Sequence, residues 1–183
     1  MYIDTQIYTA PPNGAGRLKK EMDTYTLLQE LDIPFERLDH SAVAKVDDCY
    51  EIEQRLGLEI SKNLFLSDGR RTQFYLLMMP GHKRYRAGEL SKQLGTPRLS
   101  FADEAYLQKH LDLTPGSVSV LGLMNDKDHT VTLLIDRDVL AQEYVGCHPC
   151  VNTASLKLRL GDLLDKFLPH TGHQPVFVTL PWK

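Results

Sequence analysis

The chain has 183 residues, of which 42% are hydrophobic and 25% are charged, and this balance excludes an intrinsically disordered chain. Its 21 Lys and Arg against 24 Asp and Glu give a formal net charge of −3, which excludes a general nucleic-acid coat but leaves a local basic patch open. The longest apolar stretch, Phe74 to Pro80, is far shorter than the roughly 20 residues that span a bilayer. The N-terminus lacks a basic-then-apolar signal and the count of 3 cysteines is odd, so we expect a cytoplasmic protein without a disulfide framework or a membrane partner.

The N-terminal segment is typical of an extension followed by a linker. Pro11, Pro12, Gly14 and Gly16 all interrupt regular structure there. We therefore expect residues 1–18 to be an N-terminal extension and residues 19–183 to form one domain.

The next segment predicts two helices with a strand between them. A first helix is indicated by spaced apolar residues before Pro34, namely Met22, Tyr25, Leu28 and Leu31. Residues 34–40 alternate as a strand does. The second helix is predicted to be capped by Asp47, to end at Gly57, and to share one apolar face formed by Cys49, Ile52 and Leu56.

The middle and C-terminal segments predict further strands and helices. Residues 63–68 and 73–80 predict a hairpin because Asp68-Gly69 is a turn signal. A short helix over 88–94 follows, and Ser100 with Asp103 indicates a capping box for a helix through His110. Residues 116–124, 130–136 and 175–180 predict strands, and residues 160–168 an amphipathic helix. This irregular alternation predicts an α/β fold of the α+β type, with a mixed, mainly antiparallel sheet flanked by helices.

Lys62 and Asn63 stand at the start of an apolar strand. A lysine there can place its ammonium group at the phosphate or carbonyl of a ligand. The spacing by itself favours the simpler interpretation, in which the lysine stem covers apolar surface.

The segment from Gly116 to Gly122 is a second candidate. Small residues, among them Ser117 and Ser119, leave backbone N–H groups that can bind a developing oxyanion. The same pattern is typical of a strand that begins after a Pro-Gly turn, and the two interpretations are compatible.

Cys147-His148-Pro149-Cys150 forms a C-x-x-C pattern. The pattern favours two half-buried structural cysteines over a redox dithiol. A redox dithiol is in turn favoured over half of a zinc site, because Cys49 is the only other cysteine that could supply a ligand. His148 is open to three interpretations: a base, an orienting donor or a core histidine. We expect the Asn152 side chain to hold the backbone by hydrogen bonds.

Basic residues cluster around two predicted turns, at Arg70, Arg71, Lys83 and Arg84. Such a run is usually a solvated face. Where it has a function, it suits a phosphate backbone, because Arg binds two oxygens at once and Lys supplies a point charge.

Five segments occur in one order along the chain: SKNLFLSD, MPGHKR, LTPGSVSVLGLMND, GCHPCVNTASLKL and TGHQP. In this order and spacing the chain resembles the YbaK-like prolyl-tRNA editing proteins, from about residue 24 to residue 180. The resemblance implies their mixed sheet flanked by helices. It also implies hydrolysis of the ester between a wrong amino acid and the 3′ end of proline tRNA. In the most similar branch that amino acid is alanine, and a sister branch removes cysteine.

The resemblance also implies the site and the partners. Lys62 matches the functional lysine of the family, Asn63 its neighbour, Gly116 to Gly122 the loop facing the aminoacyl group, and His148 the histidine of a His-Pro motif. No metal or organic cofactor is implied. The implied partner is the acceptor end of mischarged proline tRNA, held by the basic turns, with prolyl-tRNA synthetase as a second candidate and no DNA.

One position departs from the pattern of the family. Val120 stands where proline is common, and a valine restores an N–H and loosens the loop. We expect substrate choice to depend on Val46, Val118 and Val120. Two rivals remain: a non-catalytic tRNA-binding or synthetase-binding module, and a thiol-disulfide protein that uses Cys147 and Cys150.

Overall fold

The computed structural model describes residues 1–43 and 49–183. Its helices are α1 (Lys19–Glu30), α2 (Tyr50–Leu56), α3 (Ala87–Leu94), α4 (Glu104–Leu111), α5 (Leu160–Asp162) and α6 (Leu168–Thr171). A π-helical turn, Leu163–Phe167, joins the last two, and 3₁₀ helices span Val120–Asn125 and Arg137–Ala141. The strands are β1 (Phe35–Asp39), β2 (Lys62–Ser67), β3 (Phe74–Met79), β4 (Ser100–Phe101), β5 (Val131–Asp136), β6 (Tyr144–Cys147), β7 (Ala154–Arg159) and β8 (Val176–Val178).

These strands form two sheets. The larger has the order β4-β2-β3-β5-β8, with antiparallel pairs on either side of β2 and parallel pairs on either side of β5. The smaller has the order β1-β7-β6 and is antiparallel throughout. The predicted mixed, mainly antiparallel architecture flanked by helices is therefore confirmed.

The larger sheet is covered on both faces. Phe65 and Leu76 belong to the main core, which also contains residues of α1, α4 and the smaller sheet. Leu66 and Leu77, on the opposite face, pack with α3 and the C-terminal segment. Coverage on both faces explains why β3 is apolar at every position, since a strand buried on both sides has no solvent face to alternate with.

The predicted hairpin and second helix are confirmed. Lys62 lies opposite Met79 in the β2–β3 pair, and the Asp68 carboxylate accepts hydrogen bonds from the N–H groups of Thr72 and Gln73 at 2.7 and 3.0 Å. Helix α2 ends at Gly57, whose φ of 68° is favoured by glycine. Asp47, the predicted cap of that helix, lies outside the described residues.

Two sequence-based predictions are wrong. Residues 116–124 do not form a strand: they form a turn and then the 3₁₀ helix, whose start is capped by Ser119 Oγ accepting from the Leu121 N–H at 3.2 Å. The predicted capping box is absent, because Ser100 lies in β4 and Asp103 precedes α4 without a side-chain capping bond. A short-range serine bond at Leu121 thus outweighs β propensity there.

The N-terminal segment contacts the edge of the smaller sheet. Ile3 is buried and forms a β-bridge with His40, and Tyr8 forms another with Arg37. Its last residues are joined to β1 by an ion pair of 2.7 Å between Arg17 and Asp39. Within the described part of the chain, no helix is long and apolar enough to cross a membrane.

Candidate active site

A cavity of about 400 Å³ lies where the two sheets meet. Its walls come from the start of β2, the turn after β3, the loop before the first 3₁₀ helix and the end of β6. The structure brings Lys62, Asn63, Gly116 and His148 together around it. The cationic residue and the glycine loop that the sequence singled out therefore face one hollow.

Two glycines allow the sheets to converge at Ile60. A Cβ atom on Gly81 would lie 2.4 Å from the Ile60 carbonyl oxygen, and one on Gly146 would lie 3.1 Å from the Ile60 Cα. Gly146 also forms a parallel β-bridge with Ile60. Because no side chain fits at either glycine, the turn after β3 and strand β6 both close onto the entry to β2, and the cavity forms there.

Lys62 is held in the cavity wall by its own ammonium group. Nζ donates a hydrogen bond to the main-chain carbonyl of Lys83 at 2.8 Å. Partial burial lowers the pKa of Lys62, and the nearby charge of Glu59 partly offsets this. An ammonium group has three donors, so two N–H bonds remain for a ligand.

Asn63 and Ser61 contribute polar atoms that lack partners. Asn63 donates from Nδ2 to the Ser61 carbonyl at 3.0 Å, but its Oδ1 and the Ser61 Oγ are buried without a hydrogen bond among the described residues. An unpaired buried polar group costs about 1–3 kcal/mol. Both residues line the cavity, but these two oxygen atoms are closed to solvent and therefore present no surface to a ligand there. Sequence reasoning missed Ser61, although its position next to Lys62 was a signal.

Gly116 forms another part of the cavity wall. Its φ is 85°, and a Cβ atom there would lie 3.2 Å from Asn152 Nδ2. The N–H groups of Gly116 and of Val118, which also lines the cavity, make no hydrogen bond to another described residue. Asn152 Nδ2 donates to the Val43 carbonyl at 3.1 Å, which confirms the expected side-chain-to-backbone bond.

Three other loop residues do not line the cavity, contrary to the catalytic role expected for them. Ser117 is buried and its Oγ donates to the Thr114 carbonyl at 2.8 Å. Ser119 is fully buried as the cap of the 3₁₀ helix. A Cβ atom on Gly122 would lie 2.6 Å from Leu113 Cδ1, so this glycine serves core packing. Val120, expected in the pocket, is also buried in the core, and Val46 lies outside the described residues.

His148 is buried and its tautomer follows from its partner. Nδ1 lies 2.8 Å from the Ala154 carbonyl, which can only accept, so Nδ1 carries the proton. Nε2 is then an unprotonated acceptor. The pKa of His148 is lowered to about 4, mainly by burial, with the Ala154 bond raising it and the ring of His40 lowering it by smaller amounts. The imidazole is therefore neutral at pH 7 and suits hydrogen-bond acceptance better than proton storage.

The two cysteines beside His148 do not have the properties of a redox pair. Both are buried, and burial raises the pKa of Cys147 to about 12 and that of Cys150 to about 11. A reactive thiol needs exposure and a lowered pKa. Within residues 1–43 and 49–183, no group of three His, Cys, Asp or Glu is placed to hold a metal ion.

The basic residues divide into two kinds. Arg70 and Arg84 are exposed and form no ion pair with another described residue, whereas Arg71 pairs with Asp103 at 3.0 Å. Lys83 is fully buried, with Nζ 2.7 Å from Asp136 and 2.8 Å from Asp138. The expected contact of the Lys83 side chain with tRNA is therefore wrong, because its ammonium group is enclosed and already paired.

Two aromatic residues at the cavity wall were not predicted. Tyr85 is half-buried, and Phe101 is exposed on the short strand β4. Glu53, also buried in the wall, accepts a hydrogen bond from the Ile60 N–H at 2.8 Å. No spacing pattern marks these residues, since the pairing of β4 with β2 and the approach of α2 bring them to the site.

Comparison with known proteins identifies relatives over most of the chain. A family model for the aminoacyl-tRNA editing domain matches residues 40–166. The prolyl-tRNA synthetase associated domain-containing protein 1 of Danio rerio is 34% identical over 165 residues, covering 88% of this chain and 87% of that protein. The prolyl-tRNA editing protein ProX of Acetoanaerobium sticklandii is 34% identical over 146 residues, covering 80% of this chain and 88% of that protein. A crystal structure described as a candidate trans-editing enzyme for prolyl tRNA synthetase shares the fold, with a TM-score of 0.66 at 17% identity, covering 90% and 99% of the two chains.

Proposed function

Because the chain belongs to the aminoacyl-tRNA editing domain family, we propose that it hydrolyses the ester between a wrong amino acid and the 3′ end of proline tRNA. The observation that carries the proposal is the position of Lys62 and the Gly116 loop on one cavity. Lys62, Asn63, Gly116 and His148 are the residues to which we assign the reaction. The proposed setting is the cytoplasm, with prolyl-tRNA synthetase as a second partner.

Alanine is the amino acid that we propose is removed. A synthetase pocket built for proline cannot strongly reject a smaller side chain, since a missing methylene is worth only about 1–3 kcal/mol. A second site can admit the small residue and exclude proline by bulk. The resemblance to the alanine-removing branch of the family supports the same choice.

Lys62 anchors the substrate in this proposal. One of its N–H bonds is committed to the Lys83 carbonyl, which sets the direction of the other two. These are aimed at the aminoacyl carbonyl or at the terminal phosphate. Partial burial leaves the ammonium group of Lys62 less well solvated, which lowers its pKa and makes it more dependent on a ligand for partners.

The N–H groups of Gly116 and Val118 stabilise the negative charge of the transition state. A water attacks the ester carbonyl carbon and forms a tetrahedral oxyanion, which these two amides bind. The intermediate then expels the ribose oxygen, which takes a proton from the attacking water. No protein nucleophile is required, because an aminoacyl ester is already activated. Loss of one such donor typically costs a factor of about 10²–10³ in rate.

His148 and Asn63 position the reactants. The free Nε2 of His148 accepts a hydrogen bond from the α-amino group or from the attacking water. Asn63, next to Lys62 in the wall, shapes the cavity beside these groups. Exposed Arg70 and Arg84 hold the acceptor stem, joined by Arg71 when it leaves Asp103.

Hydrolysis of proline tRNA charged with alanine, cysteine or serine tests the proposal. We expect alanine to be released fastest, and Lys62→Ala to reduce that rate about 10²–10³-fold. If cysteine is released faster than alanine, cysteine is the amino acid that the protein removes. Binding of each charged tRNA without release would overturn the hydrolase assignment, and full activity of Lys62→Ala would overturn the role of this lysine.

A further inference from the structure

We propose that Phe101, braced by Tyr85, forms a platform on which the terminal nucleobase of the tRNA stacks. The inference rests on the proposed function, since it specifies how the same cavity holds the nucleoside that carries the ester. Both residues line the cavity, and Phe101 is 65% exposed while its neighbours in the strand pairing are buried. An aromatic side chain left this open at the mouth of a site is a stacking surface for a planar ligand.

The strand register places this platform on the same face as Lys62. Successive side chains alternate across a strand, so Lys62, Leu64 and Leu66 share one face of β2. Phe101 pairs with Leu66 across the antiparallel β2–β4 ladder and therefore also lies on that face. Leu64, between them, also lines the cavity.

The separation along β2 fits a nucleoside. Leu66, the partner of Phe101, lies four residue steps beyond Lys62 along β2, a distance of roughly 13 Å between Cα positions. The side chains of Lys62 and Phe101 both line the same cavity. An ester carbonyl near the Lys62 ammonium would therefore place its base, one ribose away, over the Phe101 ring.

Tyr85 keeps the Phe101 ring in place and leaves a face open. The two ring centroids are 6.0 Å apart, with the planes inclined at 63°, which is an edge-to-face contact. The Tyr85 hydroxyl donates to the Leu99 carbonyl at 3.1 Å, so the tyrosine is fixed on its far side. An edge-on neighbour steadies the phenylalanine without occupying the face that a base needs.

The charge near the pair suits a nucleotide more than an apolar partner. Arg98 lies close enough to Tyr85 to oppose the raising effect of burial on the pKa of this phenol, and it forms no ion pair with another described residue. Arg84 and Arg86 flank Tyr85 in the chain and are exposed. A flat apolar face bordered by free guanidinium groups matches a base with its phosphates.

Kinetics with two substrates test the platform. We expect Phe101→Ala to raise KM for alanyl proline tRNA about ten-fold, the size of one lost base stack, with kcat within two-fold of wild type. Phe101→Trp should restore KM. Alanine ethyl ester has no base, so its hydrolysis should be equal in all variants. Tyr2→Ala, which removes a side chain of similar exposure away from the cavity, should leave both substrates unaffected.

A binding experiment that needs no hydrolysis separates this inference from the proposed function. An uncharged acceptor-stem hairpin carries 2-aminopurine as its last base, and stacking quenches its fluorescence. We expect quenching with wild type and with Phe101→Trp but not with Phe101→Ala. Quenching without deacylation would overturn the proposed hydrolase and support the platform. Equal quenching and equal KM in wild type and Phe101→Ala would overturn the platform.

Discussion

The ammonium group of Lys62 is bound to the main-chain carbonyl of Lys83 at 2.8 Å, and the side chain of Lys83 is itself enclosed between Asp136 and Asp138. The ring of Trp182 covers this cluster, with Lys83 Nζ 5.0 Å from its centroid and its Nε1 donating to Asp138 at 2.7 Å. The C-terminal segment therefore packs on a partly buried ion cluster, and the backbone of that cluster positions the lysine of the cavity. Lys83 contributes to the site through its main-chain carbonyl, while its ammonium group pairs with Asp136 and Asp138.

Removing the Lys83 charge should destabilise the fold. Lys83→Met leaves the fully buried Asp136 carboxylate without its cation, and breaking a buried pair in this way costs about 3–5 kcal/mol. The measurement is urea unfolding of the variant against wild type. The double variant Lys83→Met with Asp136→Asn should recover much of the loss. A single variant as stable as wild type would show that the cluster contributes nothing.

Arg84 should behave in the opposite way to its neighbour in the chain. Its side chain is exposed and unpaired among the described residues, so Arg84→Ala should leave stability unchanged but weaken tRNA binding. The slope of log K against log salt should fall by about 1, the value for one lost phosphate contact. Lys19→Ala is a suitable control, because Lys19 is exposed on α1, and α1 packs on the face of the larger sheet opposite to that of Lys62. Equal slopes for both variants would contradict an acceptor-stem contact at Arg84.

His148 should make the fold less stable as the pH falls from about 6.5 towards 4. The folded protein holds this imidazole neutral with a pKa of about 4, whereas in the unfolded chain it binds a proton near pH 6.5. As the pH falls from about 6.5 to 4, the imidazole takes up a proton in the unfolded chain but not in the folded protein. The free energy of unfolding therefore decreases over this range, by about 3 kcal/mol in total. The pKa values of Asp39 and Asp126 are lowered, so protonation of these two carboxylates reduces stability mainly below about pH 4.

The measurement for His148 is the free energy of unfolding in urea at pH 7 and pH 4.5. In His148→Asn the amide nitrogen can still donate to the Ala154 carbonyl, but the side chain does not titrate. The variant should therefore lose distinctly less stability than wild type between the two pH values. The same loss in both proteins would mean that His148 is not held neutral.

Gly116 should not tolerate a side chain. At its φ of 85°, an alanine costs about 1–2 kcal/mol in backbone strain, and its methyl group would press on Asn152 Nδ2 at 3.2 Å. We expect Gly116→Ala to lose stability by that amount and to lower kcat, since the amides of the loop move. Gly161→Ala, at a position with ordinary φ and open space, should be neutral or slightly stabilising. Unfolding curves and single-turnover deacylation measure the two effects.

Cys147 and Cys150 should react slowly with thiol reagents. Burial raises their pKa values to about 12 and about 11, so little thiolate is present at pH 8. Iodoacetamide labelling, followed by peptide mass spectrometry, should modify both only after urea unfolding. Rapid labelling of either residue in the folded protein would revive the redox interpretation.

Much of the fold follows from local patterns in the chain. The apolar spacing of α1, the Asp-Gly turn between β2 and β3, and the glycine that ends α2 each act over a few residues, so sequence reasoning places them correctly. Strands β6 and β7 were missed because their stability comes from pairing with each other and with β1, far away in the chain.

The candidate site shows the same division. The sequence alone determined that Lys62 begins an apolar strand and that a Gly-Ser loop and a His-Pro pair follow in a recognisable order. Only the tertiary structure decided which of these side chains reach the cavity. The side chains of Ser117, Ser119 and Lys83 are buried in the protein interior. By contrast, Ser61 and Phe101 line the cavity. Which side chains are buried depends on contacts between segments far apart in the chain, such as those of Gly81 and Gly146 with Ile60. A local sequence pattern cannot predict such contacts.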